Sequence, residues 1–196
     1  MCKLTFKYGA MNSGKSLELL TTAHKLKENG IKYQLLKPSI DTRDVGVIRS
    51  RIGIEETCTV FDHKTSILDV LDRNASWLLV DGAQFMETFQ VNELANIVDL
   101  MGINVVCYGL RTDFMTHLFD GSKRLFEIAD EIEKLSSFCE CGGTSEVNAK
   151  IDSDGMIEVS ENGPVVEVGA EERYKPMCRK CFFDTVFQRT EPVDEQ

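Results

Sequence analysis

Eight residues near the start of the chain, GAMNSGKS from Gly9 to Ser16, constrain its fold more than any other stretch. They fit G-x-x-x-x-G-K-[ST], a pattern whose chemistry needs a strand before it and a helix after it. Both flanks comply. KLTFKY alternates apolar Leu4, Phe6 and Tyr8 with polar neighbours, as a strand does, and from Ser13 onward Leu17, Leu20, Ala23 and Leu26 recur at helical spacing until Gly30 stops the run. In that setting backbone N–H groups along Gly9, Met11, Ser13 and Gly14 close around phosphate oxygens, and the helix N-terminus adds partial positive charge. Lys15 then reaches the outer phosphates and Ser16 offers an oxygen to Mg²⁺. The stretch predicts a nucleotide site.

The chain repeats this rhythm. YQLLK before Pro38, TCTVF, WLLVD and NVVCYGL read as strands. SILDVLD reads as a short helix, and Val91, Leu94, Ile97, Val98 and Met101 mark a longer one that ends at Gly102. Strands alternating with helices need crossover connections, which predicts a P-loop NTPase-like α/β domain over residues 1–135 with a mostly parallel sheet and flanking helices. Ligands of such sheets sit beyond the carboxyl ends of the strands. In WLLVD the apolar run Leu78, Leu79, Val80 ends at Asp81, the place of the second acidic element of phosphate-loop proteins, which holds Mg²⁺ directly or through water.

Past Ser136 the composition changes. Cys139 and Cys141 form C-x-C, Cys178 and Cys181 form C-x-x-C far downstream, and the turn DSDG and the short alternating run MIEVS fall between them. Four thiolates suit tetrahedral Zn²⁺, and with every ligand from protein no coordination position stays open, so the metal is structural. Residues 136–190 are therefore expected to form a small β-rich zinc module, and 191–196 a disordered acidic tail. Cys2, Cys58 and Cys107 read as small apolar fillers, and His24, His63 and His117 fall in no metal or nucleophile pattern.

Charge narrows the ligand. With 32 acidic against 22 basic side chains, a net charge of −10 disfavours a polyphosphate backbone, whose binding needs clustered Lys and Arg, so no nucleic acid partner is expected. No run approaches the ~20 apolar residues of a membrane span, and MCKLTFKYG lacks the basic-then-apolar plan of a signal peptide. No membrane partner and a cytoplasmic location are expected.

Together with the Asp-rich turn DTRD at 41–44, VDGAQF, YGLRTDF at 108–114 and ERYKPMCRKC, these motifs resemble the zinc-containing thymidine kinases of the cellular, bacterial and phage type, over roughly Leu4 to Phe183. The resemblance implies transfer of the γ-phosphoryl group of ATP to the 5′-hydroxyl of thymidine. It implies Asp41 and Arg43 near the phosphates and Mg²⁺, Gln84 beside the strand end, and Phe85, Leu110, Phe114 and Phe119 as apolar walls around the thymine. The stretch from Val165 to Tyr174, including Val166, Val168 and Gly169, matches the lasso that reads the base with main-chain groups. A homotetramer and feedback inhibition by thymidine triphosphate are also implied.

The chain departs from the family at one central place. The family has a glutamate after the strand-end aspartate, the expected base for the 5′-hydroxyl proton, and here that residue is Gly82. A smaller departure is Gly169-Ala170, where the family has two glycines. Loss of a general base typically costs ~10²–10⁴-fold in rate, yet phosphoryl transfer depends mostly on positioning and charge stabilisation. Three readings follow: a kinase whose base is water or another carboxylate such as Glu87 or Asp113, a protein that binds nucleoside and nucleotide with poor turnover, or a sequence change in an ordinary enzyme. A phosphate-loop ATPase or zinc protein acting on nucleic acid or another protein is the reading from a different class, and it needs a basic groove or an arginine finger.

Overall fold

Apolar side chains occupy both faces of the central strands, and covering both faces sets the architecture. The computed structural model describes residues 1–40, 45–152, 154, 156–158 and 173–187. In chain order its first elements are β1 (Leu4–Tyr8), α1 (Lys15–Glu28), β2 (Tyr33–Pro38), β3 (Val47–Arg49), β4 (Glu55–Thr57), β5 (Thr59–Phe61) and α2 (Ile67–Val70). There follow β6 (Trp77–Asp81), α3 (Thr88–Met101), β7 (Asn104–Gly109), α4 (Asp120–Ile128), β8 (Glu131–Lys134), β9 (Val147–Lys150), β10 (Tyr174–Met177) and α5 (Arg179–Phe187).

Six strands form one sheet in the order β5-β2-β6-β7-β1-β8, and each neighbouring pair is parallel. Side chains alternate between its faces. Leu78 and Val80 of β6 and Val105 and Cys107 of β7 join a cluster with Val91, Leu94, Ile97 and Leu125 of α3 and α4. Leu79, Val106 and Tyr108 point the other way, onto Leu19, Leu20, Ala23 and Leu26 of α1. A strand buried on both faces has to be apolar at successive positions, which is why WLLVD and NVVCYG carry continuous apolar runs. Helix α3 ends where Gly102 enters the left-handed region at φ 68°, as the periodicity predicts.

Parts of the chain fold differently from the sequence reading. TCTVF is two strands: Thr57 closes the antiparallel β3–β4 hairpin, Cys58 N–H donates to the Gly46 carbonyl at 2.9 Å, and the parallel sheet resumes at Thr59. The hairpin docks on α1 through fully buried Ile48. Strand β8, EIEK, has all four residues exposed and so carries no apolar alternation to find it by. Beyond it, β9 and β10 pair antiparallel and α5 packs Phe182 against Val147, Ala149 and Ile157, so the C-terminal part contains a helix as well as strands. The predicted tail at 191–196 lies outside the described residues.

Candidate active site

The phosphate loop leaves the carboxyl end of β1 and enters α1 at Lys15. Lys15 Nζ donates to the carbonyls of Ala10 at 2.7 Å and Gly9 at 3.2 Å and lies 3.3 Å from Ser13 Oγ, so the ammonium is held over the loop's mouth. Gly9 cannot carry a side chain: a Cβ there would stand 2.3 Å from the Leu135 carbonyl. Ser16 Oγ–H donates to Asp81 Oδ2 at 2.9 Å, which brings a hydroxyl and a carboxylate to one point, the donor set a hard divalent cation takes beside phosphate oxygens. Burial, opposed by the Asp81 charge and helped by that of Arg51, brings the Lys15 ammonium down to about 8.

At the end of β6 the Gly82 N–H donates to Asp81 Oδ1 at 3.1 Å, and Gly82 sits at φ 70°, ψ 30° before one 3₁₀ turn, Ala83–Phe85. A Cβ at Gly82 would meet Pro38 Cδ at 3.4 Å and Phe85 Cδ2 at 3.7 Å, ordinary contacts, so a side chain fits there. The left-handed backbone still disfavours one by about 1 kcal/mol. Buried Gln84 accepts the Leu110 N–H on Oε1 at 3.1 Å and thereby braces the ends of β6 and β7 together. Both carboxylates considered as substitute bases have local partners. Glu87 caps α3 in a capping box with Gln90, and Asp113 Oδ1 accepts the His117 N–H at 2.9 Å.

Among the described base-side residues, Phe85 follows β6, and Leu110 and Phe114 follow β7, at the same edge of the sheet. Phe85 and Phe119 meet edge to face with ring centroids 5.7 Å apart. Phe114 is buried, Leu110 is half-buried with its carbonyl held by Ser122 Oγ at 2.6 Å, and Tyr174 opens β10. Asp41, Arg43, Val166, Val168 and Gly169 lie outside the described residues.

The C-terminal part touches the phosphate loop directly. Buried Asn148 of β9 accepts the Met11 N–H on Oδ1 at 2.7 Å, and Glu146 holds Lys134 while its carbonyl accepts from Arg111 at 3.3 Å. The Glu146 N–H donates to the carbonyl of Met177, next to Cys178. There the sulfurs of Cys139, Cys141, Cys178 and Cys181 lie within 4.8 Å of one another, with Cys141 and Cys178 3.7 Å apart. Four ligands at Zn–S bond length around one ion stand ~3.8 Å apart, so the donor set fits. Backbone N–H groups, that of Cys141 foremost, draw the Cys139 thiol down toward thiolate, while the neighbouring thiols, Cys178 first, push Cys181 up.

Sequence reasoning missed Asn148 and Arg51. Neither carries a spacing signal: Asn148 lies in an unremarkable VNAK strand, and Arg51 on the β3–β4 hairpin comes near Lys15 only because Ile48 docks that hairpin on α1.

A family profile described as Thymidine kinase matches residues 2–182. Thymidine kinase of Xanthomonas campestris pv. campestris strain 8004 is 40% identical over 189 residues, covering 93% of this chain and 90% of the relative. That of Albidiferax ferrireducens is 41% identical over 190 residues, covering 93% of each. That of Zymomonas mobilis subsp. mobilis is 40% identical over 190 residues, covering 94% of this chain and 97% of the relative.

The Lys15 environment generates a pH dependence. Bound phosphates favour the ammonium, so nucleotide affinity is full below about pH 8 and falls as pH rises through that value, by up to about tenfold per pH unit. Titration with a non-hydrolysable ATP analogue between about pH 7 and pH 9.5 checks this, and Lys15→Arg, charged throughout, should bind with a flat profile. A constant wild-type dissociation constant across that window contradicts the assignment.

Proposed function

The chain belongs to the thymidine kinase family, and from that premise we propose that it transfers the γ-phosphoryl group of Mg·ATP to the 5′-hydroxyl of thymidine, in pyrimidine salvage for DNA synthesis. The observation that carries the proposal is the meeting of Lys15, Ser16 and Asp81 at the strand ends, with the Phe85–Phe119 pair beyond the same edge. The net charge of −10 speaks against the nucleic acid reading.

Lys15 neutralises charge on the outer phosphates, with Asp41 and Arg43 assigned to the same region by resemblance. Ser16 and Asp81 would hold Mg²⁺, which when bound would supply charge neutralisation along the phosphate chain. Phe85, Leu110, Phe114 and Phe119 form the apolar wall for the base, and Val166, Val168, Gly169 and Tyr174 are assigned to its polar edge. An apolar slot with a few convergent backbone groups suits a pyrimidine face. Gly82 offers no proton acceptor, so the 5′-hydroxyl proton passes to water while the oxygen forms its bond to phosphorus and ADP departs. Such a route is compatible with a loose transition state, in which catalysis is mainly positioning and charge stabilisation. Gly82 is also the one observation that favours the second reading, a thymidine-binding relative with poor turnover.

The division at residue 136, a structural Zn²⁺ on the four cysteines, a homotetramer, feedback by thymidine triphosphate and a cytoplasmic setting belong to the same proposal. The four thiols support a reducing compartment. No helix among the described residues is long and apolar enough to cross a membrane.

Purified protein given thymidine and Mg·ATP should form thymidine monophosphate and ADP in equal amounts, and Lys15→Ala should lose at least about 10²-fold. Absence of both product and thymidine binding overturns the proposal. Chelation with verified metal removal should lower the melting temperature, and added Zn²⁺ should restore it; an unchanged melting curve removes the structural metal.

A further inference from the structure

Lys150 ends β9 with only 1% of its surface exposed, an unusual place for an ammonium. Its Nζ lies 3.1 Å from Glu158 Oε2 and 3.3 Å from Oε1, and 5.1 Å from the centroid of the Phe114 ring. Glu158 also faces Arg173 Nη2 at 3.5 Å, and its backbone N–H donates to the Lys150 carbonyl at 2.8 Å. Across the hairpin, Lys150 is paired in register with Tyr174.

Phe114 is buried, yet among the described residues it joins none of the three apolar clusters and stacks on no other ring. What covers it includes a charge. The C-terminal hairpin keeps its own small core, Val147, Ala149, Ile157 and Phe182, apart from the two cores of the sheet. Among the described residues it meets the main sheet's side through Asn148 on Met11, Glu146 with Arg111 and Lys134, and Lys150 on Phe114, all contacts with a polar or charged partner. Apolar contact is non-directional, whereas an ammonium fixed by a carboxylate and aimed at a ring face fixes direction. A buried ion pair is weak as a stabilising device, since apolar residues of similar volume often serve as well. Its use here is better sought in position than in stability.

We infer that Lys150 is a positioning residue for the base-side wall, holding Phe114 in place against β9 through its charge. The inference rests on the thymidine site proposed above. Lys150 acts through Phe114, so its loss weakens the nucleoside side of the site and leaves the phosphate side, built on Lys15, Ser16 and Asp81, as it was.

Steady-state kinetics and thymidine binding on the whole protein test this with Lys150→Met, which keeps length and removes charge, and Lys150→Arg, which keeps charge. Lys150→Met should raise the KM and Kd for thymidine about tenfold and change the KM for ATP by less than about twofold. Lys150→Arg should stay within about threefold of wild type for thymidine. Should Lys150→Met fail to fold because Glu158 loses its buried ammonium partner, Lys150→Met/Glu158→Gln removes both charges of that pair and should show the same split. Equal rises in both KM values with no rescue by Arg mean a merely structural role and overturn the inference. Unchanged thymidine constants in Lys150→Met, beside an active wild type, also overturn it and leave the kinase reading standing. A wild type that neither binds nor phosphorylates thymidine removes the kinase reading and this inference with it.

Discussion

The hydrogen bond from Ser16 to Asp81 joins the first turn of α1, which follows β1, to the end of β6, a strand that is not a neighbour of β1. In the sheet order β7 lies between β6 and β1, so the first turn of α1 has to reach across the end of β7 to meet the carboxylate. That reach is possible only because all three strands are parallel and end at one edge, and they are parallel because helices on both faces supply the crossovers. Gln84 supports the same edge by tying the turn after β6 to Leu110 after β7. The candidate phosphate and base sides thus share one scaffold, whose strands are anchored by buried Leu78, Leu79, Val80, Val105 and Val106 a few residues earlier.

The C-terminal part depends on that edge rather than on an apolar core shared with it. Asn148 meets the Met11 N–H inside the phosphate loop, and the four cysteines gather at the open end of the same hairpin, where Val147 beside Asn148 pairs with Met177. A metal at those thiols would therefore bear on the phosphate loop through a few named contacts, with Glu146 bound to the residue before Cys178. Small modules without a large core depend on staples of this kind.

How much was legible in the sequence follows from how each part is held. The strand, loop and helix around GAMNSGKS, the strand before Asp81 and helix α3 up to Gly102 follow local rules of periodicity, capping and turn chemistry, so they could be read directly. The β3–β4 hairpin, exposed β8 and the break at Cys58 are set by tertiary docking and edge pairing, which leave no local period. At the candidate site, motif and context single out Lys15, Ser16 and Asp81, of which Ser16 and Asp81 meet in the fold, whereas Asn148, Arg51 and Lys150 come in through contacts distant in sequence. The candidate substitute bases Glu87 and Asp113 each have a local backbone partner in the fold, a contact that sequence position alone does not show.

Gly82 is where the account carries most weight. Its backbone lies in the left-handed region with room for a Cβ, so the position accommodates a side chain at modest strain and the chain has none. The claim is that charge and positioning at Lys15, Ser16 and Asp81 sustain transfer without a side-chain base. The most direct measurement is the single-turnover rate of thymidine monophosphate formation by the wild type beside Gly82→Glu, with thymidine affinity determined for both. The account predicts a measurable wild-type rate, increased by no more than about 10²-fold in the variant, the low end of general-base assistance. Product from Gly82→Glu alone, with equal thymidine binding by both proteins, would contradict it and make this chain a nucleoside-binding relative of its family.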